Sequence, residues 1–245
     1  MSRARLGRYA VFQLRDYLMG KAVGFVLFSL FVGSMIPREL TASHGAGWRT
    51  SPEAGNIAFR AIASQSSVLL LLGLILSASY LVANDRVTGS YRFLFAKPVG
   101  IPRYYAQLWL VHGTGFVALT GLLLLLFSVA VVPVSTWPFM AWAALLWVLW
   151  GSICFCFSTF VRFDWLMMTL LMLLPALVKG FVAPASFWYK ALTLVLPPVA
   201  HLDAAQQALV LRTPVAISDV AWVVGYGAIF LMAGLVSLRR RPIGA

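Results

Sequence analysis

Five long apolar runs, parted by short polar stretches, set the pattern of this chain. They fall at about residues 61–83, 108–132, 137–161, 165–182 and 220–238. Each reaches or approaches the roughly 20 residues that cross a hydrocarbon core as a helix. A sixth run, 22–36, is shorter. It reaches span length if it begins near Tyr17 and Lys21 snorkels to the headgroups. The pattern predicts an all-α membrane protein with six transmembrane helices, folded as a single domain over residues 1–245.

The polar stretches between the runs have their own patterns. Over residues 1–20, Leu6, Ala10, Leu14 and Tyr17 share one helical face, and Arg5, Arg8 and Arg15 the opposite one. That predicts an interfacial helix lying along the membrane before the chain turns into the first span. Residues 37–60 form a polar loop rich in Gly, Ser and Thr. Val132 to Pro138 makes a tight membrane-edge turn with Trp137 as anchor, and residues 162–164 are almost a hairpin. Residues 183–219 hold two short helical stretches around Pro197 and Pro198, predicted to dip into the outer half of the bilayer. Backbone at that depth must be covered by protein or line a wet cavity. The loop at 84–105 is the most structured: it carries an amphipathic segment, 90–97, that opens after Gly89 and stops at Pro98.

Composition agrees with the pattern and charge orients it. The chain is 61% hydrophobic with a mean hydropathy of +0.89, well above a soluble domain's roughly 45–50%. The net charge of +12 is unevenly placed. With six spans, 13 of the 19 Lys and Arg fall on the side that holds both termini and the 84–105 loop. The positive-inside rule then predicts both termini in the cytoplasm, and the basic excess reads as orientation rather than as a nucleic-acid footprint. Cys154 and Cys156, the two cysteines, lie inside the fourth span and read as packing residues.

Candidate chemistry is sparse. The seven acidic residues, among them Asp85, Asp164 and Asp219, lie outside or at the edges of the spans. A proton- or sodium-coupled carrier needs such a group near the midplane. There is no Gly-x-x-x-x-Gly-Lys-Ser/Thr loop to cradle a nucleotide, no His-Glu-x-x-His and no Gly-x-Ser-x-Gly. His44, His112 and His201 are dispersed, without metal-ligand spacing. The chain is therefore expected to be no enzyme by itself and to hold no metal or cofactor. Along the second span Ser66, Gly73, Ser77, Tyr80 and Asn84 recur at helical spacing. Small and hydroxyl residues on one face suit close helix packing, and Ser66, Ser77, Tyr80 and Asn84 are also the candidate translocation surface. Gly20 and Gly24 form a further small-residue packing pair.

A membrane protein without an energy source, but with a structured loop, suggests an external motor. Residues 89–100, Gly-Ser-Tyr-Arg-Phe-Leu-Phe-Ala-Lys-Pro-Val-Gly, resemble the first cytoplasmic loop of type-2 ATP-binding-cassette exporter permeases. Gly89, the apolar run Phe93 to Phe95, Pro98, Val99 and Arg103-Tyr104 match in register. Arg92 stands where the family often has Glu, and Gln107 where Lys is frequent. The likeness extends to the N-terminal helix (the family's connecting helix), to Pro197 through Ala204 (its outer re-entrant element) and to the basic ending at Arg239.

The resemblance implies that 84–105 is a coupling loop gripped by an ATPase subunit through Gly89, Tyr91, Arg92, Phe93, Leu94, Phe95, Lys97, Pro98 and Arg103. It implies two permease subunits, as a homodimer, with two ATPase subunits that bind the ATP and Mg, in a bacterial-type inner (plasma) membrane among membrane lipids and without nucleic acid. The cargo expected is amphiphilic or lipid-like and moves outward. The alternative is an ATPase-driven membrane assembly or maturation factor that acts on a partner protein.

Overall fold

Lipid offers no hydrogen-bond partners, so long apolar runs must satisfy their amides internally, and helices do so within one segment. In the computed structural model, which describes residues 3–88, 100–181 and 186–240, every regular element described is helical. The order is α1 (Arg3–Asp16), α2 (Val23–His44), α3 (Ala54–Ala78), α4 (Ala83–Thr88), α5 (Ile101–Ala130), α6 (Trp137–Leu146), α7 (Ser152–Ser158), α8 (Asp164–Phe181), α9 (Phe187–Val195), α10 (Val199–Leu211) and α11 (Ile217–Arg240). Two π-helical segments, Tyr17–Ala22 and Trp147–Gly151, join α1 to α2 and α6 to α7.

Five helical stretches among the described residues are long and apolar enough to cross a membrane: Tyr9–His44, Val68–Asp85, Ile101–Ala130, Trp137–Ser158 and Ile217–Arg240. The run expected at 165–182 falls on α8, whose apolar part, Asp164–Pro175, is shorter. The stretch Trp137–Ser158 is the central post. It is 72% buried, against 17% for α11, and its Trp142, Leu146, Trp147, Trp150 and Ile153 form the middle of the main core.

Several expectations change. The chain stays helical from Arg3 to His44, with no turn between the N-terminal helix and the first span. Its inward face near that junction is Gln13 and Tyr17, both buried, whereas Leu14 is 41% exposed. The helical wheel assumed an α-helix of even pitch facing a flat interface. The real helix packs one flank on α5, through Gln13 to Tyr104 O at 3.5 Å. The side chains of Arg5, Leu6 and Arg8 lie outside the described ones. The loop expected at 37–60 is mostly ordered: α2 runs through Pro37 to His44, a 3₁₀ turn follows at Ala46–Thr50, and Trp48 is buried with Ile36 and Leu40. The stretch 183–219 does hold two short helices, α9 and α10, with α10 packed on α6 and α11.

Candidate functional site

The second apolar run was expected to be one helix through 61–83. It breaks near its end instead. Ser79 is extended (ψ 146°), Tyr80 adopts the left-handed conformation at φ 59°, and α4 starts three residues later. An L-residue pays for that conformation, and a helix end leaves carbonyls that must find other partners. The surrounding helices supply them.

The accounting is nearly complete. Ile75 O accepts from Ser79 N at 3.0 Å. Lys21 Nζ, from the π segment before α2, donates to Ser77 O at 3.2 Å and to Ser79 O at 2.5 Å. His112 Nδ1, from α5, also reaches Ser77 O at 3.2 Å. A carbonyl only accepts, so that nitrogen carries the proton. Cys154, in α7, donates its thiol to Ala78 O at 3.3 Å. Tyr17 OH and Ser77 Oγ are 3.2 Å apart.

On the far side of the break, Asp164 Oδ2 accepts from Tyr80 N at 2.7 Å, and its Oδ1 from Trp165 N at 2.8 Å at the start of α8. Trp165 Nε1 donates to Tyr80 OH at 3.0 Å. Tyr17, Ser77, His112, Cys154 and Asp164 are all buried. Four separate stretches of chain thus hold one interruption of a fifth.

The loop beyond the break is tied at its feet. Tyr105, fully buried at the start of α5, donates to Asp85 Oδ2 in α4 at 2.9 Å. Gly89, Tyr91, Arg92, Phe93, Leu94, Phe95, Lys97 and Pro98 lie outside the described residues, and Arg103 is exposed on the first turn of α5.

The four positions expected to form a translocation surface do not join into one. Ser66 and Ser77 are buried, Ser77 in the polar cluster and Ser66 against the wall of an apolar cleft. Gly73 lies under the Phe25 ring, as a packing stripe requires. Tyr80 and Asn84 follow the break, which turns them off the stripe, and both are exposed. A Cβ at Gly24 would lie 3.7 Å from Leu76, in ordinary contact, and one at Gly20 would meet nothing within 4 Å, so among the described residues the two do not act as a pair that brings helices close.

Lys21 is the main correction: it does not snorkel to the headgroups but crosses to α3 and caps the break. Lys21, His112 and Asp164 carried a signal in the sequence, since each is an ionisable group inside or at the edge of an apolar run, where such groups are costly and tend to be functional. Among the described residues no group of three or more His, Cys, Asp and Glu could hold a metal ion. Compared with known proteins, the chain matches no family model, no curated protein and no solved structure.

Proposed function

We propose that the chain is the permease subunit of an ATP-driven exporter of the type-2 ATP-binding-cassette kind, paired with a second permease subunit and moved by a separate ATPase. The observation that carries the proposal is the break at Ser79–Tyr80, directly ahead of the loop that resembles a coupling element. A motor pushing on that loop meets α4, which Asp85 and Tyr105 tie to α5, and then the break. There Lys21, His112, Cys154 and Asp164 pass the displacement to the helices that carry them. A continuous second helix would only rock as a rod. A break capped from four sides acts as a joint, because packed interiors switch between arrangements rather than deform smoothly.

The test is association with a cassette ATPase after Phe93→Ala, Leu94→Ala and Phe95→Ala, one at a time. Losing an apolar anchor from such a contact costs about 1–3 kcal/mol, a fall in affinity of about tens-fold. Arg92→Glu should impair stimulated ATP hydrolysis, and a charge reversal on the ATPase should restore it. Unchanged association and hydrolysis in Leu94→Ala, Phe95→Ala and Arg92→Glu would remove the proposal's main support.

A further inference from the structure

The break at Ser79–Tyr80 frees a defined set of backbone groups. Were α3 to run on into α4, each carbonyl would accept from the amide four residues later. Leu76 O would take Tyr80 N, Ser77 O would take Leu81 N, Ala78 O would take Val82 N, and Ser79 O would take Ala83 N. Among the described residues none of these bonds forms.

The freed carbonyls, and Tyr80 N, have other partners instead. Ser79 Oγ reaches Leu76 O at 3.4 Å. Lys21 Nζ donates to Ser77 O and Ser79 O, and His112 Nδ1 to Ser77 O. Cys154 donates to Ala78 O, and Asp164 Oδ2 accepts from Tyr80 N. Four carbonyls and one amide thus have two sets of partners, one local and helical, the other made almost wholly by side chains from other helices.

Local terms favour the helical set. Residues 74–88 contain no Gly or Pro, and Tyr80 is held at φ 59°, which an L-residue disfavours. Charge opposes them. Lys21 makes two of the tertiary bonds and Asp164 one, and hydrogen bonds to an ionised group are about twice as strong as neutral ones. Asp164, Asp16 and Asp85 add attraction on the ammonium. A continuous helix would take both carbonyls from Lys21, inside the apolar stretch Tyr9–His44, where an unsatisfied charge is costly.

We propose that the second helix is a two-state element, broken in this arrangement and continuous in the other, with Lys21 as the latch that holds the break. The proposal deepens the exporter reading by naming the two states of its joint. In the continuous state α4 lies on the axis of α3, so the tie between Asp85 and Tyr105 at the foot of the 84–105 loop has to shift. Pulling on the loop and withdrawing Lys21 then bias one and the same equilibrium.

Nuclear magnetic resonance of the full chain in lipid nanodiscs, without any ATPase, reads the break directly. With carbon-labelled serine and nitrogen-labelled tyrosine, a serine is detected through the tyrosine that follows it. The sequence holds two such pairs, Ser79-Tyr80 and Ser90-Tyr91, and Ser90→Ala removes the second. In that background the Ser79 carbons should resonate where extended backbone does, as ψ 146° requires. Lys21→Met removes the charge and should shift the signal to the helical position. Lys21→Arg keeps the charge and should leave it extended. Asp164→Asn weakens the tie to Tyr80 and should split the signal, with a helical component beside the extended one. A signal that stays extended in a folded Lys21→Met, or turns helical in Lys21→Arg, overturns the proposal. If Lys21→Met does not fold, an unsplit extended signal in Asp164→Asn overturns it. Because no ATPase is present, a break that never heals leaves the coupling-loop test intact, and failed ATPase association leaves the two-state helix intact.

Discussion

A crossing where helix meets backbone makes a sharp stability prediction. Helix α11 rests on the central post at Gly227, where a Cβ would lie 2.2 Å from Val148 O, 2.9 Å from Val148 C and 3.0 Å from Val148 Cγ1. Carbon and oxygen settle at about 3.3 Å in such helix contacts, so Gly227→Ala must open the crossing by about 1 Å. The obstacle is backbone, which cannot step aside as a side-chain tip can. Two turns on, Gly234 is pressed against Phe155 and the Cα of Cys156, so the helix cannot simply pivot.

Overpacking of this kind costs about 1–3 kcal/mol, and a backbone clash belongs at the upper end. Alanine returns about 1 kcal/mol in helix propensity, leaving a net loss of about 2 kcal/mol. For a chain of this size that lowers the unfolding midpoint by about 4–8 °C. Cys154 and Cys156 are the only cysteines and both are buried. A thiol-reactive dye in a thermal ramp therefore reads the opening of α7 directly. Gly225 is the control: it lies on the same helix, and its Cβ would meet nothing within 4 Å. Gly225→Ala should keep or slightly raise the midpoint. Equal midpoints for the two variants would refute the claim that Gly227 sets this crossing.

The break in the second helix yields two further expectations with the same readout. Asp164→Asn keeps one acceptor oxygen but turns an amide NH₂ toward a backbone donor, since both carboxylate oxygens are used. The midpoint should fall by the equivalent of about 1–3 kcal/mol, and an unchanged midpoint would show that Asp164 does not hold Tyr80. Tyr80→Gly relieves the left-handed backbone at the cost of one exposed hydrogen bond to Trp165. It should hold or raise stability, whereas Tyr80→Val, with a branched Cβ at positive φ, should lower it by about 1–2 kcal/mol.

The apolar runs alone determined that this chain is helical and has several stretches fit to span a membrane. Run length and the lack of lipid hydrogen bonding leave the backbone no other economical state. The small residue at Gly73 likewise foretold close approach, and the Phe25 ring lies on it, whereas Gly113 under the Trp147 ring and Gly227 on the Val148 carbonyl belong to no pattern read from the sequence. The break at Ser79–Tyr80 was not legible. No Gly or Pro marks it, and nothing local favours Tyr80 at positive φ. It persists because Lys21, His112, Cys154 and Asp164 arrive from positions 58, 35, 76 and 84 residues away, by the bonds they make to Ser79, Ser77, Ala78 and Tyr80. The same holds for Lys21 itself: its local sequence shows a cation at the mouth of an apolar run, a pattern that suits snorkelling. Only the placement of α3 beside it supplies the carbonyls that hold it. Periodicity fixes which residues turn inward, but capping of a broken helix depends on long-range neighbours, and those exist only once the bundle has packed.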